Sequence, residues 1–343
     1  MDFSVAFPAL VAGRLALAYS PLSDWLKDDH LLSSPLTSYS RRAVRSVLPG
    51  QYTLVLMLKT RYLLNPYIWL PTIALSTSSF ENTLCVLSLL FACQGRPSAS
   101  VLTLALLTQL SMPLVLLLLP ILLLIVTSPV SCLASPRPFP ADIRKTLPIL
   151  AEFIAYSVVL SLAATLVCGS WLWVTQSWIA PLMLPDLTPN PGLWWYFFTE
   201  MFDHFRPFFL MVHLLIYVVP MCIKFQHDML YACFLLLGVF ATFKAYPTLS
   251  EPGLFLSMTA LFPETFAYLH WPIVTALLHL HASLLLPLFH SLWLVQGTGN
   301  ANFFYASTLV FGMANGAALL DAIWAGLRIA LGELKDGCEV IQE

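Results

Sequence analysis

Charge is what this sequence lacks. Only 10% of its 343 residues are Asp, Glu, Lys or Arg and 59% are hydrophobic, whereas a soluble domain carries about 25% charged residues and under half apolar. With 16 Lys+Arg and 18 Asp+Glu, the chain lacks the polar surface to wrap cores of that size in water, so an integral membrane protein is expected. A formal net charge of -2 leaves no global basic field, which argues against nucleic acid as a partner. No CxxC pair occurs. The seven cysteines, Cys85, Cys93, Cys132, Cys168, Cys222, Cys233 and Cys338, lie mostly inside apolar runs and indicate neither a disulfide framework nor a zinc site. GxSxG, HExxH, a Ser/His/Asp order and a phosphate loop are also missing, so no catalytic residue and no cofactor is expected. Among the histidines, His279 and His281 point about 200° apart on a helix. His279 and His290 share a face but stand about 16 Å apart, so no metal is expected either.

What is present is a succession of long apolar runs. A bilayer-crossing helix needs about 20 largely apolar residues. Clear runs are Leu147 to Trp171, Pro207 to Lys224, Met229 to Tyr246, Trp271 to Gln296 and Ala301 to Leu327. The run Ala99 to Thr127 is interrupted by Pro113 and Pro120, giving either one long kinked helix or two membrane-buried pieces. Val5 to Tyr19, Tyr67 to Cys93 and Pro252 to Phe262 are too short or too broken to cross alone. The expected fold is all-α, a polytopic transmembrane helical bundle with broken and re-entrant helices. Its organisation divides into residues 1–50, an uncleaved first membrane helix with a polar loop, and residues 51–343, a multi-pass domain.

Orientation follows from basic residues, which are enriched in cytoplasmic loops. Arg137, Arg144 and Lys145 place Ser128 to Thr146 in the cytoplasm, so Trp173 to Phe205 and Gly297 to Asn300 are expected outside it. Arg206 and Lys244 fall at the opposite ends, against the rule. The alternation requires Pro252 to Phe262 to cross or re-enter.

Three sets of residues could carry function. In PDLTPNPGLWWYFFTEMFDHF, Asp186 and Asn190 sit among prolines that specify a rigid turn. Trp194 to Phe198 supply an aromatic face of the kind that settles at headgroup depth. Glu200, Asp203 and His204, at i, i+3 and i+4, then share one helix face. This is either an interfacial helix with solvated acids or a lumenal platform that meets an amine-bearing glycan or a partner subunit. In GTGNANFFYAS, Asn300 and Asn302 precede an apolar helix. Capping explains one asparagine, and the spare amide suits sugar hydroxyls or phosphate. Arg14, Glu81, Glu152 and Asp321 lie inside apolar runs with Lys244 near an end, and such groups need partners. A packing pair such as Glu152 with an Arg is one expectation. Asp24, Asp28 and Asp29 follow the first helix, where an acid could serve a lipid-sugar transferase as base or metal ligand. A solvated turn is the plainer reading.

The segments PDLTPNPGLWWYFFTEMFDHF, FKAYPT (Phe243 to Thr248) and GTGNANFFYAS closely resemble the PIG-U family, the multi-pass subunit of the endoplasmic-reticulum GPI transamidase. YLLNPYIWLPTIALSTSSFENTL and the final LKDG are similar too. The resemblance runs from about Leu58 to the C terminus. Between Arg41 and Pro49 the chain departs from the family, passing over a loop and further helices. The resemblance implies a fold like the GT-C glycosyltransferases without transferase activity. It also implies a non-catalytic subunit that helps bind the GPI lipid and present it to a separate cysteine-protease-like subunit, which joins proprotein C termini to it. Its partners would be the other transamidase subunits, the GPI lipid and membrane phospholipid. Family contacts to GPI carry over to Asn300 and Asn302. The alternative is a GT-C-type mannosyltransferase using a lipid-linked sugar in GPI assembly, supported by fold kinship and Asp28/Asp29. A transporter would need a repeat that is not evident.

Overall fold

The computed structural model describes residues 62–127, 133 and 143–332. Among these there are helices and turns and no strand. Helix α1 (Pro66–Ile73) begins where the Asn65 side chain accepts from the Tyr67 amide at 3.0 Å and Pro66 supplies a pre-set φ. Helices α2 (Ser78–Cys93) and α3 (Pro97–Leu110) follow. Reciprocal bonds tie them together: Ser88 Oγ donates to the Ser100 carbonyl at 3.0 Å and Ser100 Oγ to the Ser88 carbonyl at 2.8 Å.

The run Ala99 to Thr127 is broken rather than kinked. After α3, Ser111 is extended (φ -145°, ψ 91°), Met112–Leu117 form a 3-10 stretch, and α4 covers Leu118–Val126. In a continued α-helix Pro113 would have no amide hydrogen for the Gln109 carbonyl and its ring would clash with it, which accounts for the break. Pro120 falls in the first turn of α4, where proline is tolerated. Helix α5 (Thr146–Cys168) stops earlier than the apolar run does, because Gly169 turns left-handed at φ 68°, a conformation that favours glycine.

Short helical pieces at Leu172–Val174, Thr175–Ile179 and Ala180–Met183 lead to an irregular loop and the single turn α6 (Trp194–Phe197). Then come α7 (Arg206–Lys224), α8 (Met229–Phe243), α9 (Ser250–Met258), α10 (Pro272–His290) and α11 (Ala301–Leu331). Helix α8 is capped by Asp228, whose Oδ1 accepts from the Tyr231 amide at 2.9 Å. The entry into α10 is held from another helix: Asp321 of α11 accepts from the His270 amide at 2.6 Å and the Trp271 amide at 3.1 Å, just before the first turn. A carboxylate at that position offsets the partial positive charge of the helix start, and this is the partner Asp321 required.

Among the described residues, four stretches are long and apolar enough to cross a membrane: Thr146–Cys168, Asp203–Lys224, Pro272–Val295 and Ala301–Leu331. Each matches an expected span. The expected span Met229 to Tyr246 forms a helix shorter than the sequence run. Helix α8 has 15 residues, about 22 Å at 1.5 Å per residue, short of the ~30 Å hydrocarbon core. All of it except Phe243 is buried, enclosed by α4, α7, α9 and α11. Its Phe234 packs on Phe255 (4.9 Å) and Phe262 (5.1 Å), and Tyr231 donates to the Ala322 carbonyl at 2.6 Å. An apolar run has the same pattern whether lipid or protein surrounds it. Helix α9, at 9 residues, is about 13 Å long and too short to cross alone.

Candidate functional site

The loop Pro185 to Gly192 is rigid because its own side chains close it. Asp186 Oδ1 accepts from the Thr188 amide (2.9 Å) and hydroxyl (2.5 Å), and Asn190 Oδ1 accepts from the Gly192 amide (2.8 Å). The Thr188 hydroxyl, and then its amide, hold the Asp186 carboxyl below its ordinary value. From outside, Tyr246 clamps the loop, its hydroxyl accepting from the Asp186 amide at 3.2 Å and donating to the Asp186 carbonyl at 3.0 Å. Gly192 lies so close to Pro247 that a Cβ there would stand 2.6 Å from the proline Cγ. Asp186 and Asn190 are thus turn-forming residues, held by the Phe243–Thr248 strap.

The aromatic face expected at headgroup depth is largely internal, which corrects the interfacial-helix reading. Trp194, Trp195 and Phe198 are buried, and only Phe197 of this group is exposed. The Trp194 indole N–H donates to the Phe243 carbonyl at 2.8 Å, and its ring stacks on Phe198 at 5.3 Å. Trp195 packs against Trp293 (6.1 Å) and Phe304 (5.8 Å), while Tyr196 lies over Tyr305 at 4.7 Å. Tyr305 in turn donates to the Leu193 carbonyl at 3.2 Å.

Glu200, Asp203 and His204 do not share a helix face. Helix α6 ends at Phe197, a turn follows, and Asp203–Phe205 form one 3-10 turn before α7. Helical spacing failed here because the chain is not helical across it. All three residues are exposed. Asp203 pairs with Arg206 at 2.6 Å, and His204 lies against Phe205 at 4.2 Å. Arg206 also donates to the carbonyls of Leu184 (3.1 Å) and Phe198 (3.4 Å). Of the two basic residues at odds with the orientation rule, Arg206 is therefore committed to the loop.

The other is Lys244, and its partners were not foreseen as a set. Its Nζ meets Glu81 Oε2 of α2 at 3.1 Å and Glu251 Oε1 of α9 at 2.6 Å, with all three side chains largely buried. Glu152 is not in an Arg pair among the described residues; it accepts from Tyr156, one turn on, at 3.0 Å. His279 is engaged through Nδ1 by the Thr275 carbonyl (2.9 Å) and through Nε2 by Asn315 Oδ1 (3.2 Å). Arg14, Asp24, Asp28, Asp29, Arg137 and the final LKDG lie outside the described residues, as does the first helix.

Asn300 and Asn302 are brought to the aromatic turn. Asn300 is the N-cap of α11, its Oδ1 accepting from the amides of Asn302 (3.0 Å) and Phe303 (3.3 Å). Asn302 Oδ1 accepts from the Tyr196 hydroxyl. Capping uses one asparagine as expected, and the second is accounted for by a contact that no local pattern announces. Both residues are exposed, and neither Nδ2 group has a partner among the described residues. The edge of α11 thus presents two amide donors beside Tyr196, Tyr305 and Phe303.

Four apolar helices of spanning length packed with a sheathed inner helix define a multi-pass helical membrane protein. The family described as "GPI transamidase subunit PIG-U" matches residues 43–311. The chain belongs to the PIG-U family. It is 43% identical over 163 residues to the GPI transamidase component GAB1 of Saccharomyces cerevisiae, covering 47% of this chain and 41% of that protein. It is 32% identical over 271 residues to the GPI-anchor transamidase component PIGU of Homo sapiens, covering 78% of this chain and 62% of that protein. The GAB1 homolog of Schizosaccharomyces pombe is 31% identical, with 78% of this chain and 64% of that protein covered. The chain therefore spans less than two thirds of the length of these relatives.

Proposed function

We propose that this chain is a non-catalytic membrane subunit of the GPI transamidase, which helps bind the GPI lipid and present it for attachment to proprotein C termini. The naming of its relatives as transamidase components supports the subunit role. Catalysis then resides in a separate subunit, the other subunits and membrane phospholipid are its partners, and the endoplasmic-reticulum membrane is its location. A GT-C-like arrangement of helices fits the broken, sheathed bundle. The observation that carries lipid binding is the α11 edge, where the exposed Asn300 and Asn302 amide donors, unpartnered among the described residues, stand beside Tyr196 and Tyr305. Phosphate and sugar hydroxyls are the ligand chemistry such donors take.

In cells depleted of the endogenous subunit, Asn300→Asp/Asn302→Asp should assemble normally and lower GPI attachment to a reporter proprotein. Aspartate keeps the cap but removes the donors and repels phosphate. Attachment at the parental level with this variant in place would defeat the lipid-binding part of the proposal.

A further inference from the structure

The strap Phe243–Thr248 holds the candidate lipid-binding edge, and Lys244 holds the strap. On one side the strap carries the aromatic turn and its loop: the Phe243 carbonyl takes the Trp194 indole, Tyr246 clamps Asp186, and Pro247 abuts Gly192. Trp194 sits two residues before Tyr196, whose hydroxyl reaches Asn302. On the other side, Lys244 is the strap's ionic link to the bundle, through Glu81 of α2 and Glu251 of α9. Glu251 is used in full, its other oxygen accepting from the Thr248 amide (2.8 Å) and hydroxyl (2.6 Å). An ammonium and two carboxylates with little access to water interact strongly, and removing one partner strands the others.

We infer that Lys244 is a positioning residue for GPI-lipid binding: through the strap and Trp194 it sets where Tyr196 holds Asn302. This rests on the lipid-binding role proposed above for the α11 edge. It gives the buried triad a task beyond packing, because the triad joins two helices remote from the edge to a segment that holds the Trp194 side of the aromatic turn.

The test is a double-mutant cycle on the assembled complex, with a photoactivatable GPI glycolipid as probe. Lys244→Met and Asn302→Ala should each weaken labelling roughly tenfold, the order found for residues coupled in one network. Combined, they should weaken it no further than either alone, and Lys244→Arg should recover most of the binding. Glu81→Gln/Lys244→Met/Glu251→Gln, which strands no charge, should assemble and show the Lys244→Met defect. Losses that multiply in the double variant, or full labelling by Lys244→Met, would overturn the inference while leaving the Asn302 site intact. Parental labelling by Asn302→Ala would instead defeat the site, and the inference with it. Failure of both Lys244→Met and the triple variant to assemble would make Lys244 a folding residue and also overturn the inference.

Discussion

The Tyr196 hydroxyl donates to the Asn302 side-chain oxygen across 106 residues of sequence, joining the aromatic turn to the first turn of α11. That bond separates the two asparagines by role. Asn300→Ser should be nearly silent in thermal stability, since serine caps as well as asparagine, whereas Asn300→Ala should cost about 1 kcal/mol. Asn302→Ser should leave the cap untouched and free Tyr196, a change readable as increased hydrogen exchange in residues 193–198. Equal exchange in Asn302→Ser and parent would show that the bond does not order the turn.

Gly192 is a second discriminating position. Gly192→Ala places a methyl against the Pro247 ring and Asn190 Oδ1, and overpacking of this kind costs on the order of 1 to 3 kcal/mol. The damage should be local. Limited proteolysis should cut residues 185–193 sooner in this variant while the helical bundle melts at a similar temperature.

The loop should also respond to acid. The Asp186 carboxyl, depressed by the Thr188 hydroxyl and amide, favours the closed turn above its ordinary value of 3.8 and ceases to as pH falls through its lower folded value. Exchange protection at the Thr188 amide should therefore fall in strong acid. In Asp186→Asn, which keeps the acceptor and removes the charge, protection should not vary with pH; a retained pH dependence would assign the effect to another group.

Glu264 offers a test on stability. Both its carboxyl oxygens are buried without a hydrogen-bond partner among the described residues, and an unsatisfied buried polar group costs about 1 to 3 kcal/mol. Glu264→Met should raise the melting temperature of the detergent-solubilised complex. A lower melting temperature would mean that the carboxyl is needed.

Orientation can be read with cysteine probes. Labelling from the cytoplasmic side should reach Arg144→Cys and spare Asn190→Cys, as the distribution of basic residues implies. Labelling of both would reject it.

Much of the scaffold was legible in the sequence because lipid-facing helices announce themselves. Asn300 marks the start of α11 with a residue that local backbone chemistry favours there, whereas the apolar run carries on to Trp171, past the end of α5 at Gly169. That the inner helix α8 is enclosed by protein was not legible, because burial in protein and burial in lipid select the same side chains. Glu200, Asp203 and His204 were grouped by a helical spacing that the chain does not adopt. Trp194 and Trp195 looked like headgroup anchors, and only tertiary structure shows them covered by the strap and by α10 and α11. The link between Lys244 and Glu81, 163 residues apart, had no local signal beyond the oddity of a charge in an apolar run.

Helix α11 has 31 residues, about 46 Å at 1.5 Å per residue, against a hydrocarbon layer of ~30 Å. A rod that long must lean or project, and the balance shifts with the thickness of the layer around it. Its first turn is moored to Tyr196 while Asp321, two thirds of the way along, grips the start of α10. A change in lean is therefore shared with α10 and felt at Asn302. On the lipid-binding role proposed for this edge, local bilayer thickness would set the height at which it meets a headgroup, so membranes of different acyl-chain length should tune the same protein differently.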